Sequence, residues 1–185
     1  MLSRLNRLVT LKAFLKDKRG VSAIEFAFVA PILITAYLGL AELTLGMMAS
    51  RRTSHLAATV GDLAAQSESL SGANVLDLFA IGNSMMQPFS TTGTVLKIRV
   101  SSVKMGADTK AKVVWSKAQN ETTYAANYVV TSITTDQIAV NESLIMTEVE
   151  YDYDSPLANF LPGNTKFTDT FYHHPRNGAE VTLTP

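Results

Sequence analysis

The sequence predicts an α+β protein: a long N-terminal transmembrane helix that continues into a domain with a short second helix and an antiparallel sheet. Three observations predict it. Residues 26–41 are sixteen uncharged, mostly apolar residues between Glu25 and Glu42. Apolar residues then recur at helical spacing at Leu56, Val60, Leu63 and Ala64. From Thr94 the apolar period changes to two.

The first element is a basic leader, residues 1–20. It carries six bases against Asp17, leaving +5, while the remaining chain carries ten bases against fifteen acids, leaving −5. Leu2, Leu5, Leu8, Leu11 and Leu15 fall mostly at helical spacing among the bases, so the leader reads as a surface-seeking amphipathic helix or as an unstructured cytoplasmic segment. The charge split follows the positive-inside rule: leader in the cytoplasm, bulk of the chain across the inner membrane in the periplasm. An acidic remainder argues against nucleic-acid binding.

The second element is the membrane helix, 21–50. Residues 26–41 span roughly 24 Å, slightly less than a bilayer core of about 30 Å, and extension to Ala49 completes the crossing. The apolar part is long for a cleaved signal peptide, and no clean small-x-small site closes it, although Ala49 offers one candidate. Pro31 removes a backbone donor, so a kink or a loosened turn is expected there. Glu42 is expected near the outer headgroups, with Arg51 and Arg52 beyond it.

Residues 51–185 are expected to form the periplasmic domain. The first helix continues through Leu56–Ala64, and Ser71-Gly72 breaks it. Asn74 is the expected N-cap of the second helix, with Val75, Leu78, Phe79, Met85 and Met86 as its packed face and Pro88 as its end. Residues 95–105 and 112–118 read as a hairpin across the Gly106-Ala107-Asp108 turn. Residues 123–133 fit helix or strand equally. Residues 143–154 read as a strand with Glu148, Glu150, Asp152 and Asp154 on one face, and Met146, Val149, Tyr151 and Tyr153 largely opposite. Residues 168–174 and 179–184 are two further strands flanking a turn at 175–178, giving four or five strands in all.

The chemistry-bearing candidates are few. There is no cysteine, so disulfides, thiolate metal sites and cysteine nucleophiles are excluded. The hydrolase, metalloprotease, phosphate-loop and dinucleotide motifs are missing, so the expected role is not enzymatic and no catalytic residue is assigned. No metal and no cofactor is assigned either. The strand acids lack a calcium-loop pattern, and His173 and His174 are adjacent in a strand and point to opposite faces. Trp115 reads as core. Glu25 stands out. An ionised carboxylate beside Ile24, Phe26 and Phe28 at the head of an apolar helix is poorly solvated and calls for a partner. An α-amine freed by cutting after Gly20, on this or a neighbouring copy, would supply one. The plainer alternative is an interfacial acid favoured by the helix dipole.

Gly20, followed by VSAIEFAFVAPILI, resembles the N-terminal signature of the TadE-like family, pseudopilins of tight-adherence (Tad, Flp-type) pilus systems. That family pairs a glycine, an acid five residues on and an aromatic at the sixth; here these are Gly20, Glu25 and Phe26. The likeness covers 18–70 and continues loosely through 113–118, 148–157 and 171–176. It implies processing between Gly20 and Val21 by a prepilin-type peptidase, assembly through Glu25 and Phe26, a pilin-like fold for the domain, and pilin and other pilus assembly proteins as partners. A membrane-tethered periplasmic binding module unrelated to pili is the alternative, with Glu25 incidental.

Overall fold

A computed structural model describes residues 20–156 and 165–184. The amphipathic reading of the leader falls on 1–19, outside the described residues. The first element is helix α1, Val21–Ala65, with Pro31 inside it. The chain divides into two compact units between Ala41 and Glu42.

In the first unit, the apolar side chains of α1 are bare. Phe26, Phe28, Ile32 and Tyr37 are each about 70% exposed. A run this apolar and this exposed is far larger than the patches water tolerates on a monomer. It is the one helix among the described residues long and apolar enough to cross a membrane. Residues 21–41 span about 31 Å, against a bilayer core of about 30 Å. The helix continues through Pro31, whose carbonyl accepts the Thr35 hydroxyl at 2.8 Å.

The second unit starts at Glu42, so it overlaps residues 42–50 of the stretch expected to span the membrane. Here α1 buries a stripe: Gly46, Ala49, Thr53, Leu56, Ala57, Val60, Gly61 and Ala64. The steps of three and four residues keep one face inward. Many of these residues are small, which lets the helix lie close against the sheet.

Helix α2, Gly72–Met85, follows the short strand β1, Ser69–Leu70. The expected N-cap was one turn late. Ser71 is the cap, in extended conformation, and Asn74 is the third helical residue. Asn74 N–H donates to Ser71 Oγ at 3.2 Å, and Ser71 N–H donates to Asn74 Oδ1 at 3.0 Å. This is a capping box with Asn in place of Glu or Gln, so both residues satisfy orphan donors. Val75, Leu78, Phe79 and Met86 are buried, and Met85 is only half-buried.

Strands β2 (Leu96–Met105), β3 (Ala111–Gln119), β4 (Ser143–Tyr153) and β5 (Thr165–His173) form an antiparallel sheet in the order β3-β2-β4-β5. The hairpin β2–β3 turns at Gly106–Lys110, where Thr109 takes φ 56°. A bulge falls after Ser102↔Trp115, because the next pair is Val103↔Val113. The extra residue, Val114, turns Trp115 toward α1 and Val113 toward the opposite face.

Two findings correct the strand reading. Strand β6, Thr182–Leu183, does not join the main sheet; it pairs in parallel with β1. Residues 175–178 therefore redirect the chain instead of closing a hairpin. Met146 lies on the same face as the acids, not opposite. It packs with Leu144, Val103, Met105, Ala111 and Val113 beneath Val130, Ile133 and Ile138. The apolar cover from Val130, Ile133 and Ile138 reaches only that end of the sheet, so the face changes from apolar at Leu144 and Met146 to charged from Glu148 onward. Residues 123–133, open between helix and strand, form turns with a single bridge, Lys112↔Val129. The other face, with Ile98, Val100, Ile145, Val149 and Tyr151, packs with α1 and α2 in the main core.

Candidate functional site

The N-terminal motif lies at the head of α1. Gly20 is in a turn and fully open; an added Cβ would meet nothing within 4 Å. Its carbonyl accepts the Ile24 amide at 3.1 Å, the first bond of the helix. The Gly20–Val21 peptide thus marks the boundary between turn and helix. Val21 and Glu25 are one turn apart on one face of α1, as i and i+4. Glu25 lies beyond the first turn of the helix, so the macrodipole, strongest in that turn, acts on it weakly. Glu25 and Phe26 are both exposed, and their neighbours Ile24 and Phe28 present only hydrocarbon.

The second acid of the helix behaves differently. Glu42 was expected among headgroups, but it is fully buried within the second unit and accepts a hydrogen bond from Ser155 Oγ, just after β4. Nearby, burial and the Glu42 charge raise the Tyr153 phenol above its ordinary value. Further along, Ser54 donates to Asp169 on β5, and Arg176 pairs with Asp62. The Arg176 amide donates to the Ala65 carbonyl at 2.9 Å, and Trp115 Nε1 donates to the Val181 carbonyl at 2.8 Å. The C-terminal segment is thereby fastened to the end of α1 and to β3. Ser155 and Arg176 gave no sequence signal, because each partner is more than a hundred residues away.

The strand acids form a ladder with bases. Arg99 grips Glu148 through two nitrogens at 2.8 and 2.9 Å, and its guanidinium lies 3.9 Å over the Tyr124 ring. Lys97 and Lys166 each reach Glu150 at 2.8 Å, and Lys166 is 3.3 Å from Asp152. Lys166 and Lys97 hold the Glu150 carboxyl below the usual carboxylate range. Glu148, Glu150 and Asp152 are thus occupied by cations supplied by the chain itself, with Arg99 opposite Glu148 and Lys97 opposite Glu150, whereas Asp154, expected on the same strand face, lies beyond the end of β4. Among the described residues no group of three or more metal-ligating side chains is gathered in one place. His173 is half-buried against α1, and burial lowers its pKa. His174 and His55 are exposed.

Together these features define a class: a protein with, among the described residues, one apolar, membrane-length helix whose C-terminal part helps build the core of an α+β unit. Residues 20–61 match the family model described as TadE-like protein. No curated protein and no solved structure matches the chain. The match begins at Gly20 and ends at Gly61. It bears out the resemblance carried by Gly20, Glu25 and Phe26, and it does not extend to the looser likenesses at 113–118, 148–157 and 171–176.

Proposed function

We propose that this chain is a single-pass inner-membrane protein that serves as a pseudopilin or minor assembly component of a Tad-type, type IV-like pilus. Its role is structural and not enzymatic. Residues 1–19 are cytoplasmic, and the α+β unit is periplasmic. The observation that carries this reading is the geometry at the start of the TadE-like stretch. Gly20 lies open outside the helix, and Val21 and Glu25 share one face a turn apart.

Cutting after Gly20 by a prepilin-type peptidase gives Val21 a charged amine. In a medium that solvates neither ion, amine and carboxylate attract strongly, and whichever copy supplies the amine is fixed relative to Glu25. Phe26 and the exposed apolar residues after it then face lipid or the helices of neighbouring pilus proteins.

The test is complementation of a deletion strain, scored for surface pili and for co-purification with pilus proteins at matched levels. Wild type restores pili. Glu25→Gln inserts normally, because a neutral amide is cheaper than a charge in lipid, but it fails to restore them. Glu25→Asp is intermediate. Normal piliation with Glu25→Gln makes the acid a bystander and favours the simple membrane tether. Fusion of alkaline phosphatase after Pro185 is active if the orientation is right, and inactive if it is reversed.

A further inference from the structure

Immediately after the exposed run of α1, two adjacent rows of side chains at i, i+4 spacing follow the same course. One is Leu43, Met47 and Arg51; the other is Thr44, Met48 and Arg52. Each row ends in an arginine. Leu43 and Met47 are more than half exposed, and Met48 is about a third exposed. A groove of about 860 Å³ is lined by Thr44, Met47, Met48, Arg51 and Arg52 from these rows, by His55, and by Met85 at the end of α2. No acid lines this groove among the described residues. Among the described residues Arg51 makes no ion pair or hydrogen bond. Arg52 gives one nitrogen, Nη1, to the Met85 carbonyl at 2.9 Å, and its Nε is buried without a hydrogen-bond partner. A second, smaller groove of about 320 Å³ flanks the Met47–Arg51 row on the side of Phe167.

Cations without acids select an anion. Methionine and leucine walls leading up to those cations select hydrocarbon, since thioether side chains adapt to irregular apolar partners. The two requirements meet in an amphiphile with a phosphate head. We propose that this face binds the headgroup of an anionic phospholipid, with phosphate on Arg51 and Arg52 and acyl chain along Met47 and Met48. The position in the chain agrees. Counted from Phe26, the first residue past Glu25, about 20 residues of helix cross a bilayer core and end near Leu45. Met47 and Met48 then stand at the edge of the hydrocarbon, and Arg51 and Arg52, one to two turns on, reach back to the headgroups because helical side chains lean toward the N-terminus. The partner is a lipid of the leaflet into which the helix emerges, and the contact fixes the depth and rotation of α1. This inference rests on the membrane-anchoring part of the proposed function and is independent of any pilus role.

The experiment uses the full chain in neutral detergent and reads bound adducts by native mass spectrometry. The probes are dioctanoylphosphatidylglycerol, dioctanoylphosphatidylcholine and inorganic phosphate. The expected result is preferential retention of the phosphatidylglycerol. Arg51→Gln weakens that retention about fivefold, the effect of one cation at an anionic surface. Met48→Glu, at an exposed position that leaves the core intact, abolishes it. Equal retention of both lipids, or no effect of Arg51→Gln, overturns the proposal. Binding of inorganic phosphate as strong as that of the lipid overturns it too, because the apolar walls would then contribute nothing. A Met48→Cys variant, the only cysteine in its chain, reports a protein occupant: disulfide-linked dimers that added phosphatidylglycerol does not suppress would replace lipid by a second copy. Flotation with phosphatidylcholine vesicles separates the two readings. Flotation together with equal retention of the two lipids defeats the headgroup site alone, whereas failure to float defeats anchoring and the headgroup site together.

Discussion

Ser155 donates a hydrogen bond to the Glu42 carboxylate from 113 residues further along the chain, and both side chains are buried. Glu42 belongs to the apolar helix, yet its charge is directed into the folded unit. The start of the packed unit is thus marked by a polar contact and not by a turn or a proline.

The first prediction concerns that contact. Ser155→Ala takes a donor from a buried carboxylate, and hydrogen bonds to charged groups contribute about 1.5–3 kcal/mol. Tm of the full chain in detergent should fall accordingly. Glu42→Gln should cost less, because its carbonyl still accepts from Ser155 and no charge is left buried. An unchanged Tm for Ser155→Ala would show that the bond contributes nothing to stability.

Two buried glycines should respond differently to alanine. At Gly61 a Cβ would come within 2.7 Å of His173 Nδ1 and 2.8 Å of Thr147 Oγ1. Thr147 sits on a central strand and is β-branched, so it yields little; overpacking of this kind costs about 1–3 kcal/mol. At Gly82 the closest atom is Ile98 Cδ1 at 2.7 Å, the tip of a flexible chain. There the clash is offset by the helix preference for Ala over Gly, about 1 kcal/mol. Gly82→Ala should therefore unfold close to wild type in urea, and Gly61→Ala at a clearly lower midpoint. Equal midpoints would refute the close approach at Gly61.

Stability should decline on mild acidification through His173. Burial lowers its pKa from 6.5; Asp62 opposes that shift, and Arg176 adds to it. The unfolded chain takes up the proton first as pH falls through 6.5, so the contribution is complete above that value and is lost below it. Glu150, held low by Lys166 and Lys97, has the same sign at more acid pH: its contribution is complete above 4.5 and lost beneath. Urea midpoints at about pH 7.5 and about pH 5.5 should differ in wild type and differ less in His173→Gln, which stays neutral at both. The same pH difference in the variant would assign the effect elsewhere.

Processing is the fourth prediction. Intact mass of the membrane-extracted protein should correspond to residues 21–185 in a strain with an active prepilin-type peptidase. Gly20→Leu should leave the full mass, because a branched side chain now occupies the open position next to the bond. Full-length wild type in that strain would reject cleavage after Gly20.

The long helix was legible from residues 26–41 and from the Leu56–Ala64 spacing, since apolar periodicity reports directly which faces avoid water. The hairpin β2–β3 and the strand at 143–153 were legible for the same reason. The motif at Gly20, Glu25 and Phe26 is local, so the sequence alone carried it. What only the tertiary structure decided involves partners distant in the chain. Glu42 reads identically as a headgroup acid or as a buried one until Ser155 is beside it. Met146 shares the parity of the acids, and only the cover supplied by residues 120–142 makes its end of that face apolar. The bulge at Val114 reverses the facing of Trp115 relative to Val113, which strict alternation does not encode. Strand β6 is too short to carry a period, and its place beside β1 depends on the Arg176–Asp62 and Trp115–Val181 contacts. A sequence pattern records each residue's preference for water or core, but the choice among compatible partners is made by packing.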